Sequence, residues 1–509
     1  MNNETIKKLT HTRLLARNTI YNLLGQVAPL IAAIFAIPLL IHNLGTSRFG
    51  VLTLAWMVLG YFGLFDLGLG RVVTMLVGQK LGGEKADEIP AIVWTGTLFM
   101  LAIGLVSMII VLLISPALVK HILKIPADLQ QESLRAFIIL GCAVPVVTST
   151  AGIRGVLEAH QQFGKINIVR TLNGLYTFLV PLAVSTFSVL LGTLVLFMAL
   201  GRVLILCLYL VYCFRTVPAL KKRVILRTGL ARPMFRLGGW MSVSNIIGPV
   251  MVYFDRFLIG AWLSVAAVAY YVTPYEVVTK LMLLTAALSR VLFPAFSAGH
   301  GVDNRRMTIL YSRGIRVLIA ALFPVALIFV VFAHPAIQLW LGPEFAKQST
   351  AVMQWLALGV FFNAPGQIAF AMVQAVGRPD LTAKLHLVEA PFYLFALWFL
   401  VGKFGIQGAA IAWSLRVFVD TVALLFFVHF VIKKKDAIWR QTGLAFLLAT
   451  ASLAMPMLFI DSYFSIVYFL IIFFASIATS WKFLLLPDEK LFFRQFLLRK
   501  KSRANKIVI

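Results

Sequence analysis

The sequence predicts an all-α polytopic membrane protein of about fourteen transmembrane helices. It reads as two six-helix repeats forming two lobes around a central cavity, plus two C-terminal helices. Three observations predict this: a composition too apolar for water, a series of apolar runs long enough to cross a bilayer, and basic residues crowded into alternate connections.

The 509 residues are 61% hydrophobic and only 13% charged, and the mean hydropathy is +0.92. Soluble domains carry roughly 45–50% apolar and about 25% charged residues. A water-soluble fold cannot hide this much apolar surface, so lipid must be the solvent for much of it. The net charge of +27, from 46 basic and 19 acidic residues, would suggest nucleic acid in a soluble chain. Here the basic residues sit in short connections between apolar runs, where the positive-inside rule and anionic lipid account for them. No nucleic-acid partner is expected, and membrane lipids are.

A span needs roughly 20 apolar residues. That ruler places helices at 18–41, 50–78, 91–114, 134–157, 168–190 and 191–215. After a basic linker come 237–260, 265–293, 308–333, 351–375, 384–401 and 406–431, and then 441–460 and 463–486. The corresponding divisions are an N-terminal lobe (1–215), a basic cytoplasmic linker (216–236), a C-terminal lobe (237–431), two further spans (432–486) and a basic cytoplasmic tail (487–509). Met1–Arg17 is polar and basic without a small-residue cleavage site, so no removable signal peptide is expected.

With the N-terminus in the cytoplasm, 33 of the 46 Lys and Arg fall in cytoplasmic segments, 6 outside and 7 within spans. That asymmetry predicts an even number of spans with both termini cytoplasmic. The three cysteines, Cys142, Cys207 and Cys213, lie in apolar runs and suggest neither a disulfide framework nor a thiolate metal site.

The chain repeats itself. Asn22-Leu23-Leu24-Gly25 recurs as Asn245-Ile246-Ile247-Gly248, Ser115-Pro116-Ala117-Leu118 as His334-Pro335-Ala336-Ile337, Leu140-Gly141 as Leu358-Gly359, and Arg202-Val203 as Arg416-Val417, at offsets of 214 to 223. A repeat of six helices enters the membrane the same way twice. Two such bundles can rock about a cavity to open it to alternate sides.

Ionisable side chains in spans are expensive, costing roughly 2.5–3.5 kcal/mol at the bilayer centre on insertion scales. Arg154/Glu158, Glu276/Lys280 and Arg416/Asp420 are spaced i,i+4 and share a helical face. Asp66 precedes Arg71 by five residues, and Asp255 adjoins Arg256. Each is either a neutralised pair that locks helices or a functional site. Arg202 and Arg290 have no acid within four residues; Arg202 is mid-span, and Arg290 is near enough to the cytoplasmic end to snorkel. Guanidinium forks suit phosphate. Arg202 is thus the foremost candidate to meet an anionic ligand, with Arg290 behind it. Asn22, Gln26, Asn173, Asn245, Asn363 and Gln367, with Tyr270, Tyr271 and Tyr275, are candidates to line a sugar path, against the plainer role of helix–helix hydrogen bonding. There is no P-loop and no His-Glu-x-x-His zinc site, so no catalytic residue, cofactor or metal is expected.

The run Phe62-Gly63-Leu64-Phe65-Asp66-Leu67-Gly68-Leu69-Gly70 resembles the second-span signature of polysaccharide biosynthesis export proteins. So does Asp255-Arg256-Phe257-Leu258-Ile259-Gly260 followed by Ala269-Tyr270-Tyr271. Gln374-Ala375-Val376-Gly377-Arg378-Pro379 and Gly405-Ile406-Gln407-Gly408-Ala409-Ala410 are similar to that family's later spans. The resemblance is to Wzx-like O-antigen and exopolysaccharide flippases, within the superfamily of multidrug, oligosaccharidyl-lipid and polysaccharide exporters.

It implies a 14-helix, two-lobed, alternating-access fold with a cationic cavity. The implied cargo is an undecaprenyl-pyrophosphate-linked oligosaccharide moved to the outer leaflet of a bacterial inner membrane, alongside other polysaccharide assembly proteins. Its pyrophosphate would meet Arg202, Arg256, Lys280, Arg290 and Arg416, and H+ or Na+, the implied coupling ion, would use Asp66, Asp255, Glu276 or Asp420 as coupling or pairing candidates. Two other readings stand beside it: a cation-coupled multidrug or small-molecule exporter of the same fold, and a membrane-embedded glycan transferase or polymerase. The in-span tally of 7 basic against 6 acidic residues favours an anionic headgroup mildly.

Overall fold

The computed structural model describes residues 12–61, 69–82, 86–221, 224–227, 229, 251–299, 304–432, 437–458 and 462–479. Among these the chain is helical, with no strand. The helices are α1 (Thr12–Tyr61), α2 (Leu69–Gly82), α3 (Ile89–Ala117), α4 (Ala127–Ala159), α5 (Phe163–Ser185), α6 (Leu191–Thr216) and a segment α7 over 251–262. They continue as α8 (Val265–Val278), α9 (Met282–Gly299), α10 (Asn304–Val331), α11 (Ala333–Leu341), α12 (Pro343–Ala375), α13 (Pro379–Ile432), α14 (Ala437–Ala454) and α15 (Ser462–Thr479).

The protein is an all-α, multi-pass membrane protein of about fourteen spans. Eight described helices are long and apolar enough to cross a bilayer, and two of these contain a bend that makes them two crossings. The bends are at Gly45 (φ 74°) in α1 and Gly405 (φ 58°, ψ −136°) in α13. Both are left-handed backbone that side chains other than glycine adopt at a cost. The predicted spans 384–401 and 406–431 are thus one helical run reversed at a glycine. The predicted span 265–293 is broken into α8, a 3-10 turn at Thr279–Leu281 and α9. The predicted span 50–78 has its middle, 62–68, outside the described residues.

Many outward-facing side chains are apolar. Val106, Ile109 and Leu113 of α3 and Phe392, Phe395 and Trp398 of α13 are each about half exposed or more. In water these would be large exposed patches; against acyl chains they cost nothing.

Two compact units divide at Val272/Thr273. This is a division by packing. It does not address the 216–236 linker read from the sequence, most of which lies outside the described residues. In the first unit α3 packs on α4, α4 on α6, and α1 on α5. Val72, Val77, Ile92, Val156 and Val169 form its core. Residues 251–272 belong to this unit because the backbone comes close. Gly50 abuts the Val265 carbonyl, leaving no room for a side chain, and the Lys124 amide donates to the Gly260 carbonyl at 2.9 Å.

In the second unit α12 is central, contacting α9, α10, α11, α13 and α14. Two hydroxyls of α13 pin its register on α12: Ser414 Oγ donates to Trp355 O at 2.7 Å and Thr421 Oγ1 to Phe362 O at 2.9 Å. The seven-residue spacing at both ends means one face of α13 tracks one face of α12, which sets which other residues of α13 face its own first half.

Candidate functional site

The reversal at Gly405 folds the two halves of α13 against each other. His386, Glu389 and Tyr393 lie on the first half at i, i+3 and i+7, a single helical stripe. Arg416 and Asp420 lie on the second half at i and i+4. The turn brings the stripes together. One ligand atom each of His386, Glu389 and Asp420 lies within 4.8 Å of the others. His386 Nε2 is 3.5 Å from Asp420 Oδ1, and Arg416 is 3.9 Å from Glu389 Oε2. The Arg416 guanidinium sits over the Tyr393 ring at 5.4 Å, and the Phe370 ring of α12 stacks on His386 at 6.1 Å.

Glu389 and Asp420 are each only 7% exposed. Both carboxylate oxygens of Glu389, Asp420 Oδ1 and Arg416 Nε are buried without a hydrogen-bond partner. Buried charges are ordinarily paired or bound to a cation. Among the described residues this is the group of His, Cys, Asp and Glu side chains arranged so that a cation would fit.

Of the coupling candidates, Asp420 therefore lies in a cluster, though beside His386 and not in an ion pair with Arg416. The i,i+4 spacing predicts the Arg416–Asp420 pair, but the facing half-helix presents Glu389 closer to the guanidinium. His386 is not among the candidates read from the sequence, and Glu389 enters only as one of six in-span acids. The signal available was a His-x-x-Glu stripe followed across a glycine turn by Arg-x-x-x-Asp.

The first unit holds a different arrangement. Arg202 on α6 donates through one terminal nitrogen to Asn173 Oδ1 on α5 at 2.5 Å. The partner missing from its own helix thus comes from the neighbouring one, and a guanidinium has five N–H donors in all. Asp255 and Arg256 are deeply buried. Asp255 accepts from the Tyr271 hydroxyl at 2.6 Å and from the Arg256 amide at 2.7 Å. Arg256 donates to Val252 O at 3.1 Å and lies 4.6 Å from the Tyr253 ring. This is a packed, hydrogen-bonded knot.

Arg154–Glu158 pairs at 3.1 Å in the first unit, and Glu276–Lys280 at 2.9 Å in the second. Arg48 forks onto Glu132 at 3.0 and 3.2 Å, tying α1 to α4, and the Leu191 amide donates to the same carboxylate at 3.4 Å.

Tyr275 packs edge-on against Trp413 at 5.9 Å. Tyr270 is half-buried on α8, and Asn363 is buried on α12 with Oδ1 unpartnered. The Gln367 carbonyl accepts from Ser289 at 3.5 Å. Asn22, Gln26 and Arg290 fall on helical backbone, but their side chains lie outside the described residues, as do Asp66 and Asn245 entirely.

Residues 39–350 match the family described as polysaccharide biosynthesis protein. A Shigella flexneri protein named for O-antigen transport is 30% identical over 408 residues, covering 80% of this chain and 96% of that one. A Haloferax volcanii protein named for flipping in low-salt glycan biosynthesis is 27% identical over 193 residues, covering 38% of this chain and 41% of that one. Among solved structures, an inward-facing multidrug resistance MATE transporter superposes with a TM-score of 0.69 at 13% identity, covering 82% of this chain and 100% of that one. The lipid II flippase MurJ in an inward closed conformation gives 0.67 at 14% identity, covering 92% and 99%. These two likenesses are of fold.

Proposed function

We propose, since the chain belongs to the polysaccharide biosynthesis protein family, that it is the flippase for a polyprenyl-pyrophosphate-linked oligosaccharide, working by alternating access in the bacterial cytoplasmic membrane. The observation that carries this reading is the 30% identity with a protein named for O-antigen transport, along nearly the whole of that protein. Membership in a family of transporters and flippases makes the chain a carrier and not an enzyme.

The chemistry of the cargo explains the need for such a protein. A sugar headgroup cannot cross hydrocarbon unaided, because its hydroxyls lose water with nothing in return. A polar path through the protein supplies replacement hydrogen bonds, while the polyprenyl tail stays in lipid. The pyrophosphate needs positive charge. Arg202, Arg256, Lys280, Arg290 and Arg416 remain its candidates, and Arg202 is the foremost. It lies mid-span and pairs with a neutral amide rather than an acid, so its charge is uncompensated by its hydrogen-bond partner. Both termini are cytoplasmic in this reading, following the basic connections. Other polysaccharide assembly proteins receive the product.

The test is flipping in proteoliposomes. Purified protein is reconstituted with a fluorescent polyprenyl-pyrophosphate sugar, and exposure to an outside quencher is followed. Wild type is expected to flip it, and Arg202→Ala to lose most of the rate while still eluting as a folded species. A wild type that moves no lipid-linked sugar, but expels a cationic dye against a proton or sodium gradient, overturns the reading in favour of an exporter.

A further inference from the structure

We propose that the connection leaving α6 is a docking surface for anionic phospholipid of the cytoplasmic leaflet. Val224 and Leu226 sit among acyl chains, and Arg215, Lys221 and Arg227 meet the headgroup phosphates.

The connection is fastened to the start of α3 at two points. After α6 the chain makes a 3-10 turn, Pro218–Lys221, in which Leu220 is buried. The Leu220 carbonyl accepts from Trp94 Nε1 at 3.3 Å, and the Arg227 amide donates to Thr95 Oγ1 at 3.0 Å. Trp94 also packs on Phe214 of α6, with 6.4 Å between ring centroids. Backbone in water needs no such partners, whereas irregular backbone at membrane depth must be satisfied by the protein. Thr95 lies six residues beyond Ile89, where α3 starts. The second fastening is therefore roughly 9 Å along the helix axis from that start. The Lys80–Glu88 pair, at 2.7 Å, marks the polar edge just before the helix. Segments that lie in the interface seat their apolar side chains roughly 5–10 Å into the boundary between headgroups and acyl chains.

The side chains between the fastenings suit that depth. Val224 is 66% and Leu226 52% exposed, while Ile225 between them is partly buried. The outward positions are thus the apolar ones, and basic residues flank them. Arg215, Lys221 and Arg227 are exposed, and among the described residues none of the three takes part in an ion pair. The acids at this end of the unit are taken, Glu88 by Lys80 and Glu158 by Arg154 at 3.1 Å. Lys165, at the start of α5, turns to Thr216 Oγ1 at 3.3 Å and to the Tyr212 ring. Uncompensated positive charge beside exposed apolar side chains matches an anionic headgroup with its acyl chains below. A neutral lipid leaves the charge unanswered, and an acidic protein surface in water leaves Val224 and Leu226 unanswered.

The inference rests on the cytoplasmic sidedness of this connection and concerns the resident lipid of the bilayer, not the cargo. Full-length protein with Cys142, Cys207 and Cys213 replaced by alanine carries an environment-sensitive fluorophore at Val224→Cys or Leu226→Cys. It is placed in nanodiscs of phosphatidylcholine with a minor share of phosphatidylglycerol. Brominated acyl chains, which quench on contact, are carried by one lipid or the other at unchanged composition.

Both brominated lipids are expected to quench the label, and phosphatidylglycerol to do so several-fold more per molecule. That preference should fall by up to about fivefold with each of Arg215→Gln, Lys221→Gln and Arg227→Gln, and weaken at high salt. The triple variant should show parity while both lipids still quench, which separates a lost headgroup contact from a lost fold. Quenching by neither lipid places the loop in water and overturns the proposal, and so does equal quenching in the protein with all three basic residues. Loss of the preference on adding a little polyprenyl-pyrophosphate-linked sugar also overturns it, since the loop is then a cargo site. A protein that keeps the preference but flips nothing loses the transport reading alone.

Discussion

Arg416 lies 3.9 Å from Glu389 across the α13 turn, while Asp420, its i+4 neighbour on the same helix, lies 3.5 Å from His386. The partners are exchanged relative to what helical spacing alone would choose. Each acid of the cluster therefore depends on a residue beyond Gly405, and the bend itself becomes part of the site.

The cross-turn pairing couples Glu389 and Arg416 energetically. Arg416→Gln is expected to destabilise the protein by about 2–4 kcal/mol, since it leaves two carboxylates buried without their cation. The double variant Glu389→Gln/Arg416→Gln should cost less than the two singles combined, by about 1–3 kcal/mol. Chemical denaturation in mixed micelles measures all four corners of the cycle, and strict additivity would show that the two do not interact.

Close approach at Gly50 predicts a sharp contrast between glycines. Gly50→Ala places a methyl group into the Val265 carbonyl and should cost more than about 2 kcal/mol by forcing the 251–272 region away from α1. Gly78→Ala meets nothing within 4 Å and should be neutral or stabilising by up to about 1 kcal/mol through helix propensity. The two variants run side by side in one unfolding assay, and equal effects would contradict the packing described.

Glu132 serves two donors, so its variants should separate them. Glu132→Gln still accepts from the Leu191 amide but loses the charge on Arg48, with an expected cost below about 1 kcal/mol that shrinks at high salt. Glu132→Ala removes both interactions and should cost more, with a salt-independent remainder. A salt titration of Tm distinguishes the two contributions.

Arg202 is held by a single neutral partner, which predicts a role for Asn173 in transport. Asn173→Ala should leave the charge but free the guanidinium, raising the concentration of lipid-linked sugar for half-maximal flipping more than it lowers the maximal rate. Arg202→Lys should keep part of the activity, because an ammonium is a point charge without the fork that matches pyrophosphate. Equal rates in Arg202→Ala and wild type would remove this residue from the headgroup path.

Sidedness is testable without substrate. In a background with Cys142, Cys207 and Cys213 replaced, Lys403→Cys should react with an impermeant maleimide in intact cells, and Lys221→Cys only after permeabilisation. The opposite pattern would invert the chain.

Much of the fold was legible because the free energy of placing a helix in lipid is nearly additive along the chain. The apolar runs around α3, α4, α5, α6, α10 and α12 sum to spans wherever the helices pack. The glycine bends were less legible. Gly45 and Gly405 are two glycines among 35, and nothing local separates a glycine that reverses a helix from one that lets helices touch. The broken stretch near Thr279 was likewise hidden, since its side chains are as apolar as those of an unbroken span.

The sequence by itself determined that this chain lives in a membrane, how many times it crosses, and which family it resembles. Tertiary structure alone decided which charges meet. Helix rotation, set by Ser414 and Thr421 on α12, and the reversal at Gly405 turn Arg416 toward Glu389 and Asp420 toward His386. In the first unit, the packing of α6 on α5 gives Arg202 its partner in Asn173. Ionic contact depends on distances of a few ångströms between residues far apart along the helix, and no sum over the sequence contains that distance.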